Sequence, residues 1–313
     1  MTISCNWSLA KRLAGTLLLL LVGPNADKLL AQENFVLEPG AETFGETSIG
    51  ERPKTLMRWS YGDTIAGGPA SRDEPLISDR PDFTEASTTV GQGVAQVEMG
   101  YTFYSNSDDG VRTRSHSYPE MLWRVGILAD WLEFRIAYNA AGTDSSALGL
   151  PSTQTSGSED LYLGFKLGLT LQEGILPEMA LITQMTVPTG SGPFTAGIVM
   201  PGLNWLYGWD ITDEFSFAGS TQANQSLDDS GDVYLEVAQS FTIGISLTER
   251  LGMYTEWFVF MPSGSAAART QHYLDGGFTF SVTNDLQLDV RGGIGLSHAS
   301  DDYFVGTGFV RRF

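Results

Sequence analysis

Cysteine is almost missing from this 313-residue chain, which has only Cys5. One cysteine excludes an internal disulfide framework and a cysteine-based metal cluster. Cys5 also precedes the one apolar run, whereas a lipid-anchored cysteine would follow it. Positive charge is scarce too: 18 Lys and Arg stand against 37 Asp and Glu, a formal net charge of -19. A nucleic-acid partner calls for a basic patch, so this balance argues against one. No G-x-S-x-G, P-loop or H-E-x-x-H motif occurs, and no EF-hand spacing. No apolar run approaches the roughly 20 residues a membrane-spanning helix needs. The longest, Leu13–Val22, follows Lys11 and Arg12. A basic start and a short apolar run fit a secretory signal, expected to end at Ala31 or Ala26.

What the chain does have is glycine, 36 residues, and aromatics, with 17 Phe, 11 Tyr and 7 Trp. Its apolar share of 42% is too high for a disordered acidic chain. This mixture suits an all-β barrel. The expected organisation is a signal peptide over 1–31, a flexible periplasmic arm or linker over 32–78, and a barrel over 79–313 that opens on a charged motif. Residues 32–78 are polar, broken by Pro and Gly, and aperiodic. Period-2 alternation takes over from about Val94. Val97, Met99, Tyr101 and Phe103 alternate with Glu98, Gly100 and Thr102. Leu161, Leu163, Phe165, Leu167 and Leu169 alternate with Asp160, Tyr162, Gly164, Lys166 and Gly168.

The alternation predicts twelve strands, near 94–105, 115–126, 131–140, 158–170, 178–188, 197–209, 214–223, 232–247, 251–261, 272–282, 285–297 and 303–313. Most reach the 9–11 residues of a tilted spanning strand, longer than the five or six usual in soluble sheets. Short turns, such as Ala129-Asp130 and Thr283-Asn284-Asp285, alternate with longer loops, such as Ser105–Arg114 and Ala141–Gly157. That layout predicts an antiparallel up-and-down transmembrane β-barrel of about twelve strands, with both ends on the periplasmic side.

One parity carries the charge: Glu98, Glu120, Arg124, Glu133, Arg135, Asp160, Lys166, Glu178, Glu236, Glu256, Asp275, Asp289, Arg291 and Arg312. Charge is costly in lipid, so this face is expected to line the lumen and to pair into ion networks. A surplus of carboxylates favours cations. Trp131, Trp205, Tyr207, Trp209, Trp257, Tyr303 and Phe313 lie near strand ends, where interfacial girdles form. The terminal strand ending on Phe313 resembles the signal read by the barrel assembly machinery, with Arg311 as a departure from it. His116 falls at inward parity; His272 and His298 fall at or in outer loops, with Ser117, Ser297 and Ser300 near them in sequence.

Before the first strand stands Ser78-Asp79-Arg80-Pro81-Asp82-Phe83-Thr84-Glu85. This run resembles the D-R-P-D-F-T-E opening of the family named for a MetA pathway of phenol degradation. Pro119-Glu120-Met121-Leu122-Trp123-Arg124, Val187-Pro188-Thr189-Gly190 and Leu247–Gly252, running into Tyr254, Glu256 and Phe260, are similar to further segments of it. The resemblance covers residues 77–313 and implies an outer-membrane channel-like protein, often labelled a transporter. Read by chemistry alone, Asp79, Arg80, Asp82 and Glu85 could fold with Pro81 and Phe83 into the periplasmic mouth and pair with lumen charges, or form a solvated turn. The expected function is passive passage of small solutes, hydrophobic or aromatic ones among them, with outer-membrane lipids and the assembly machinery as partners and no cofactor. The alternatives are a closed structural barrel and a lipid-modifying enzyme. Outer membranes lack ATP, which disfavours energy-coupled transport by this chain alone.

Overall fold

A computed structural model describes residues 55–57, 68–108, 110–228 and 230–313. The expected signal peptide lies outside the described residues. All of them belong to the unit that begins at Arg52.

The strands are β1 (Ala95–Asp108), β2 (Val111–Gly126), β3 (Leu132–Ala147), β4 (Thr153–Ser158), β5 (Leu161–Thr170), β6 (Glu178–Val187), β7 (Met200–Asp210), β8 (Phe215–Leu227), β9 (Val233–Ser246), β10 (Leu251–Ser263), β11 (Gln271–Thr283), β12 (Leu286–Gly295) and β13 (Tyr303–Arg312). All pairings are antiparallel and, β4 and β5 apart, join strands adjacent in sequence, and β13 returns to β1, from Gln96↔Arg312 to Ser105↔Tyr303. β4 and β5 share the partner β3, β4 along its outer half and β5 along its inner half. The two therefore act as one interrupted stave, and the sheet closes as a twelve-stave barrel. Closure leaves the spanning wall without a free edge, the condition for strands to cross a bilayer.

The predicted strands and the observed ones agree closely, with one difference at the outer end. Ser105–Arg114 and Ala141–Gly157 are not loops: β1, β2 and β3 continue through them to turns at Gly110 and Gly149, and β4 pairs on β3. Thr, Ser, Arg and Asp dominate there, so the extension carries strand geometry without an apolar face.

The wall is inverted relative to a soluble fold. Trp205, Phe278, Leu288, Val290 and Val305 face outward, each more than two-fifths exposed. So large an apolar surface is not tolerated in water and marks a lipid-facing band. Rings run across it from Trp205 through Tyr207, Trp209, Phe217, Phe241 and Trp257 to His272, with centroids 5.2–6.1 Å apart. The interior buries polar groups: Arg124, Glu133, Arg135 and Lys166 are wholly inaccessible. This is the build of an outer-membrane barrel.

The stretch expected to be an arm is partly described. Residues 68–78 lie against the short-turn end of the barrel. Leu76 N–H donates to the Asn284 carbonyl at 2.8 Å, and Arg312 donates to the carbonyls of Ser71 and Glu74 at 3.1 and 2.9 Å.

Mid-strand on β5, Phe165 is 43% exposed and its neighbour Lys166 is buried. Replacing Phe165 with Arg puts a charge into lipid and is expected to lower stability by about 2–4 kcal/mol near the midplane. Denaturant unfolding in lipid vesicles measures it; an unchanged midpoint would reverse the assigned faces.

Candidate functional site

Inside this wall, residues 78–94 run through the lumen before entering β1. What holds them begins with register. Arg124 on β2 lies opposite Arg135 on β3, and Glu133 lies opposite Lys166 on β5. Three cations and one carboxylate thus meet in a dry site, and isolated charges there are costly. Asp79 makes up the deficit. Its carboxylate lies 3.2 Å from Arg124 Nη1, 2.6 Å from Arg135 Nη1 and 2.9 Å from Lys166 Nζ. Glu133 takes Arg124 in a two-point contact at 2.9 and 3.0 Å, Glu98 takes its remaining nitrogen at 3.1 Å, and Glu85 accepts from Arg135 at 2.6 Å. Burial alone would raise the Asp79 carboxyl; Arg124, Lys166 and Arg135 outweigh it and hold the group well below the usual carboxylate range. Backbone carbonyls complete the shell, Ala86 accepting from Lys166 at 2.9 Å and Thr88 from Arg124 at 3.2 Å.

Arg80 points to the opposite wall. It spans both oxygens of Asp289 at 3.2 Å and donates to Glu120 at 2.9 Å. Its guanidinium fits only because β1 and β13 carry glycine beside it. A Cβ on Gly100 would stand 2.4 Å from Arg80 Cζ, and one on Gly308 would stand 2.5 Å from Nε. Glu120 reaches this place through an irregularity in β2, where Tyr118-Pro119-Glu120-Met121 face three residues of β1. Proline cannot donate to the ladder, and the extra residue re-aims its neighbour, as bulges do. The same residue reverses parity above it. His116 therefore pairs with Phe103 and accompanies Tyr101 on the outer face, 2.7 Å from its hydroxyl, rather than pointing inward as strict alternation predicts.

Beyond Pro81, whose carbonyl accepts from Arg291 at 2.9 Å, the segment crosses to β9–β11. Glu256 accepts from the N–H groups of Phe83 and Thr84 at 2.6 and 2.8 Å. Its cross-strand partner is Asp275, and Asp82 sits against the same pair. Asp82 lies on the inserted segment and is half-buried. Burial, then the charge of Asp275, push its carboxyl up to about 8. The Phe83 ring stacks on Phe258, centroids 4.7 Å apart at 12°, and meets Phe260 edge-on at 5.3 Å. Phe258 stacks in turn on Tyr273 at 4.8 Å, and Phe304 and Tyr104 extend the group.

The remaining charged positions divide. Glu178 accepts from Ser87 at 2.8 Å and from Gly68 N–H, and so holds the segment near the inner mouth. Asp160 is not on a strand: it falls between β4 and β5 and accepts from Gly190 and Ala196 N–H, fixing an outer loop instead of joining the lumen network. Glu236 accepts from Tyr234 at 3.1 Å. Glu256 and Asp275 make no ion pair among the described residues, so the expected pairing is confined to the Asp79 and Arg80 clusters and to Arg312 with Asp285 at 2.8 Å on the rim. Phe313 N–H donates to the Ala95 carbonyl at 2.8 Å, and its ring is 59% exposed. Ser297 and Ser300 accept from the backbone N–H of His272, and no histidine ring is hydrogen-bonded to a serine among the described residues. Nor do those residues include three His, Cys, Asp or Glu placed to hold a metal ion.

Two large cavities flank the segment. One of about 570 Å³ opens among the long loops and is lined by Asp108, Tyr234, Glu236, Phe260 and His298. The other, about 580 Å³, lies at the short-turn end between Ala86, Ser87, Glu178 and Trp209. A third, of about 350 Å³, lies beside Glu85, Glu120, Arg135 and Tyr162. Sequence reasoning missed the lumenal aromatics, because Phe258 and Phe260 sit in an unbroken apolar run with Trp257 and Val259 that conceals the alternation.

Among solved structures, the chain is similar to the COG4313 outer membrane channel from Pseudomonas putida F1, with 15% identity and a TM-score of 0.55 over 75% of this chain and 99% of that one. It is also similar to the transport unit of the autotransporter AIDA-I from Escherichia coli, with 9% identity and a TM-score of 0.47 over 70% of this chain and 89% of that one. A third likeness is to the CymD monoaromatic hydrocarbon channel, with 9% identity and a TM-score of 0.39 over 71% of this chain and 89% of that one. The first speaks for the barrel fold, and the others add no argument. No curated protein matches the chain. A family model does match, over residues 78–313, from the start of the inserted motif to the last residue of the barrel, and the chain therefore belongs to the family described as Putative MetA-pathway of phenol degradation.

Proposed function

We propose that this protein is a passive outer-membrane channel for small solutes, held closed at rest by residues 78–94. The observation that carries the reading is the pair of vestibules, outer and periplasmic, with the segment docked between them. A barrel that served only as structure would need no such division. The segment is held by side-chain contacts, several of them charged, and not by a strand of its own. Such contacts can be lost and remade without opening the wall. The COG4313 relative is by its own description an outer membrane channel, which agrees with this reading. Acidic side chains along the path favour cations over anions.

Asp79 anchors the closed state. Its replacement by Asn leaves Arg124, Arg135 and Lys166 short of an anion, and breaking a buried pair weakens docking by about 3–5 kcal/mol. Even 1.4 kcal/mol shifts the docking equilibrium roughly tenfold. Single-channel recording in planar bilayers is therefore expected to show larger or more frequent openings than the parent chain. Silence from both proteins, together with no solute flux in liposomes, would leave the closed structural barrel as the better account.

Docking also depends on pH. A free aspartate titrates near 3.9, and docked Asp82 near 8, so the docked state binds the proton more tightly. The Asp82 contribution to docking is full below about pH 4 and is lost as pH rises through about 8, whereas the Asp79 contribution is lost as pH falls below about 4, so docking is strongest near pH 4 and weakens on the alkaline side. Openings are expected to be more frequent at alkaline pH, and the Asp82→Asn variant to show a smaller dependence. An identical pH profile for the two proteins would remove Asp82 from the account.

At the other end, Phe313 is proposed as the terminal signal for barrel assembly. Its deletion is expected to reduce the amount of folded protein in the outer membrane, read by heat-dependent mobility on a gel. Undiminished folded protein would refute the signal.

A further inference from the structure

The inserted segment is held by pegs of two kinds. Asp79 and Arg80 are charged and bound deep in the lumen. Phe83 is an uncharged ring in an aromatic slot, stacked on Phe258 and edge-on to Phe260. That slot is a compact stack of rings on a face that elsewhere carries the ion pairs, Ser and Thr, and a small aliphatic cluster of Ala180, Ile182 and Leu206. It is also the peg nearest the outside, because Phe260 lines the outer vestibule of about 570 Å³. A solute entering there meets the rings before it meets the ion pairs.

We propose that the face formed by Phe258, Phe260 and Tyr273 is a binding site for the planar ring of a small aromatic solute, which competes with Phe83 for it and so loosens the segment. This inference rests on the channel reading and adds a ligand to it. A neutral ring cannot replace the carboxylate of Asp79 among three cations. It can replace a benzyl ring like for like, since offset stacking and edge contacts depend on the ring quadrupole and not on the rest of the molecule. A saturated ring of equal size fills the volume but lacks the quadrupole. The ligand moves the segment only by its preference for the state in which Phe83 has left.

The test uses the refolded full chain with Cys5→Ser and a reporter, Ala86→Cys, beside the periplasmic cavity. The readout is the rate of modification by a charged thiol reagent added from the periplasmic face. The probes are benzyl alcohol and cyclohexylmethanol, matched in size and hydroxyl. Benzyl alcohol is expected to speed modification roughly two- to tenfold, the worth of an aromatic pair, and cyclohexylmethanol distinctly less. Phe258→Leu keeps an apolar side chain without a ring and is expected to abolish the difference between the probes. Phe83→Ala is expected to be fast at the outset and indifferent to benzyl alcohol. Equal effects of the two alcohols on the parent chain, or a benzyl effect that survives Phe258→Leu, would overturn the site. Heat-dependent gel mobility confirms that each variant is folded. Conductance recorded alongside separates the two readings. Faster labelling without conductance refutes the channel and leaves the ring site standing, whereas conductance with no discrimination between probes refutes the ring site alone.

Discussion

Everything inside this barrel depends on the shortage of negative charge where β2, β3 and β5 meet. Arg124, Arg135 and Lys166 converge there with Glu133 alone supplied from the same three strands, and none of the four has access to solvent. Such a site is not viable without counter-charge, and the rest of the counter-charge arrives from beyond these three strands. Asp79 and Glu85 come from the chain that precedes β1, and Glu98 from β1 itself. The segment is therefore part of the interior and not a tail that happens to lie in it. Its direction through the lumen follows: Asp79 is fixed at one wall, Arg80 must reach the carboxylates opposite, and Phe83 and Thr84 pass on to Glu256.

The spanning wall was legible in the sequence because lipid outside and water or charge inside impose a strict period of two. Phe165 and Lys166 illustrate it, adjacent in sequence and on opposite faces. Reading failed where the period was broken or where both faces were apolar. The extra residue at Pro119-Glu120 reversed the side on which His116 lies, and the registers with β1 and β3 reveal it. Asp160 had the right parity but no strand under it. Phe258 and Phe260 hid among lipid-facing neighbours.

The motif before β1 was visible as a knot of alternating charge able either to pair with lumen charges or to form a solvated turn, but its individual partners were not visible. Its partners lie far off in the sequence, Asp79 to Lys166 by 87 residues and Arg80 to Asp289 by 209. Charge pattern says that such residues need partners. Which partners they find is decided by how twelve staves curve around them, and that is a property of the closed sheet.

The pocket that receives Arg80 has a consequence for the order of events in biogenesis. Its floor is Gly100 on the first stave and Gly308 on the last, and its principal carboxylate, Asp289, belongs to the stave before that. Asp289 and Gly308 are already cross-strand partners in the last hairpin, but Gly100 meets Gly308 only when β13 has joined β1, so the pocket is incomplete in a chain still open at that seam. Arg80 lies only 15 residues ahead of β1, yet it must wait for the C-terminal end of the polypeptide before it can settle. Settling of Arg80 is thereby tied to completion of the ring, whereas the Asp79 site on β2, β3 and β5 is assembled without it.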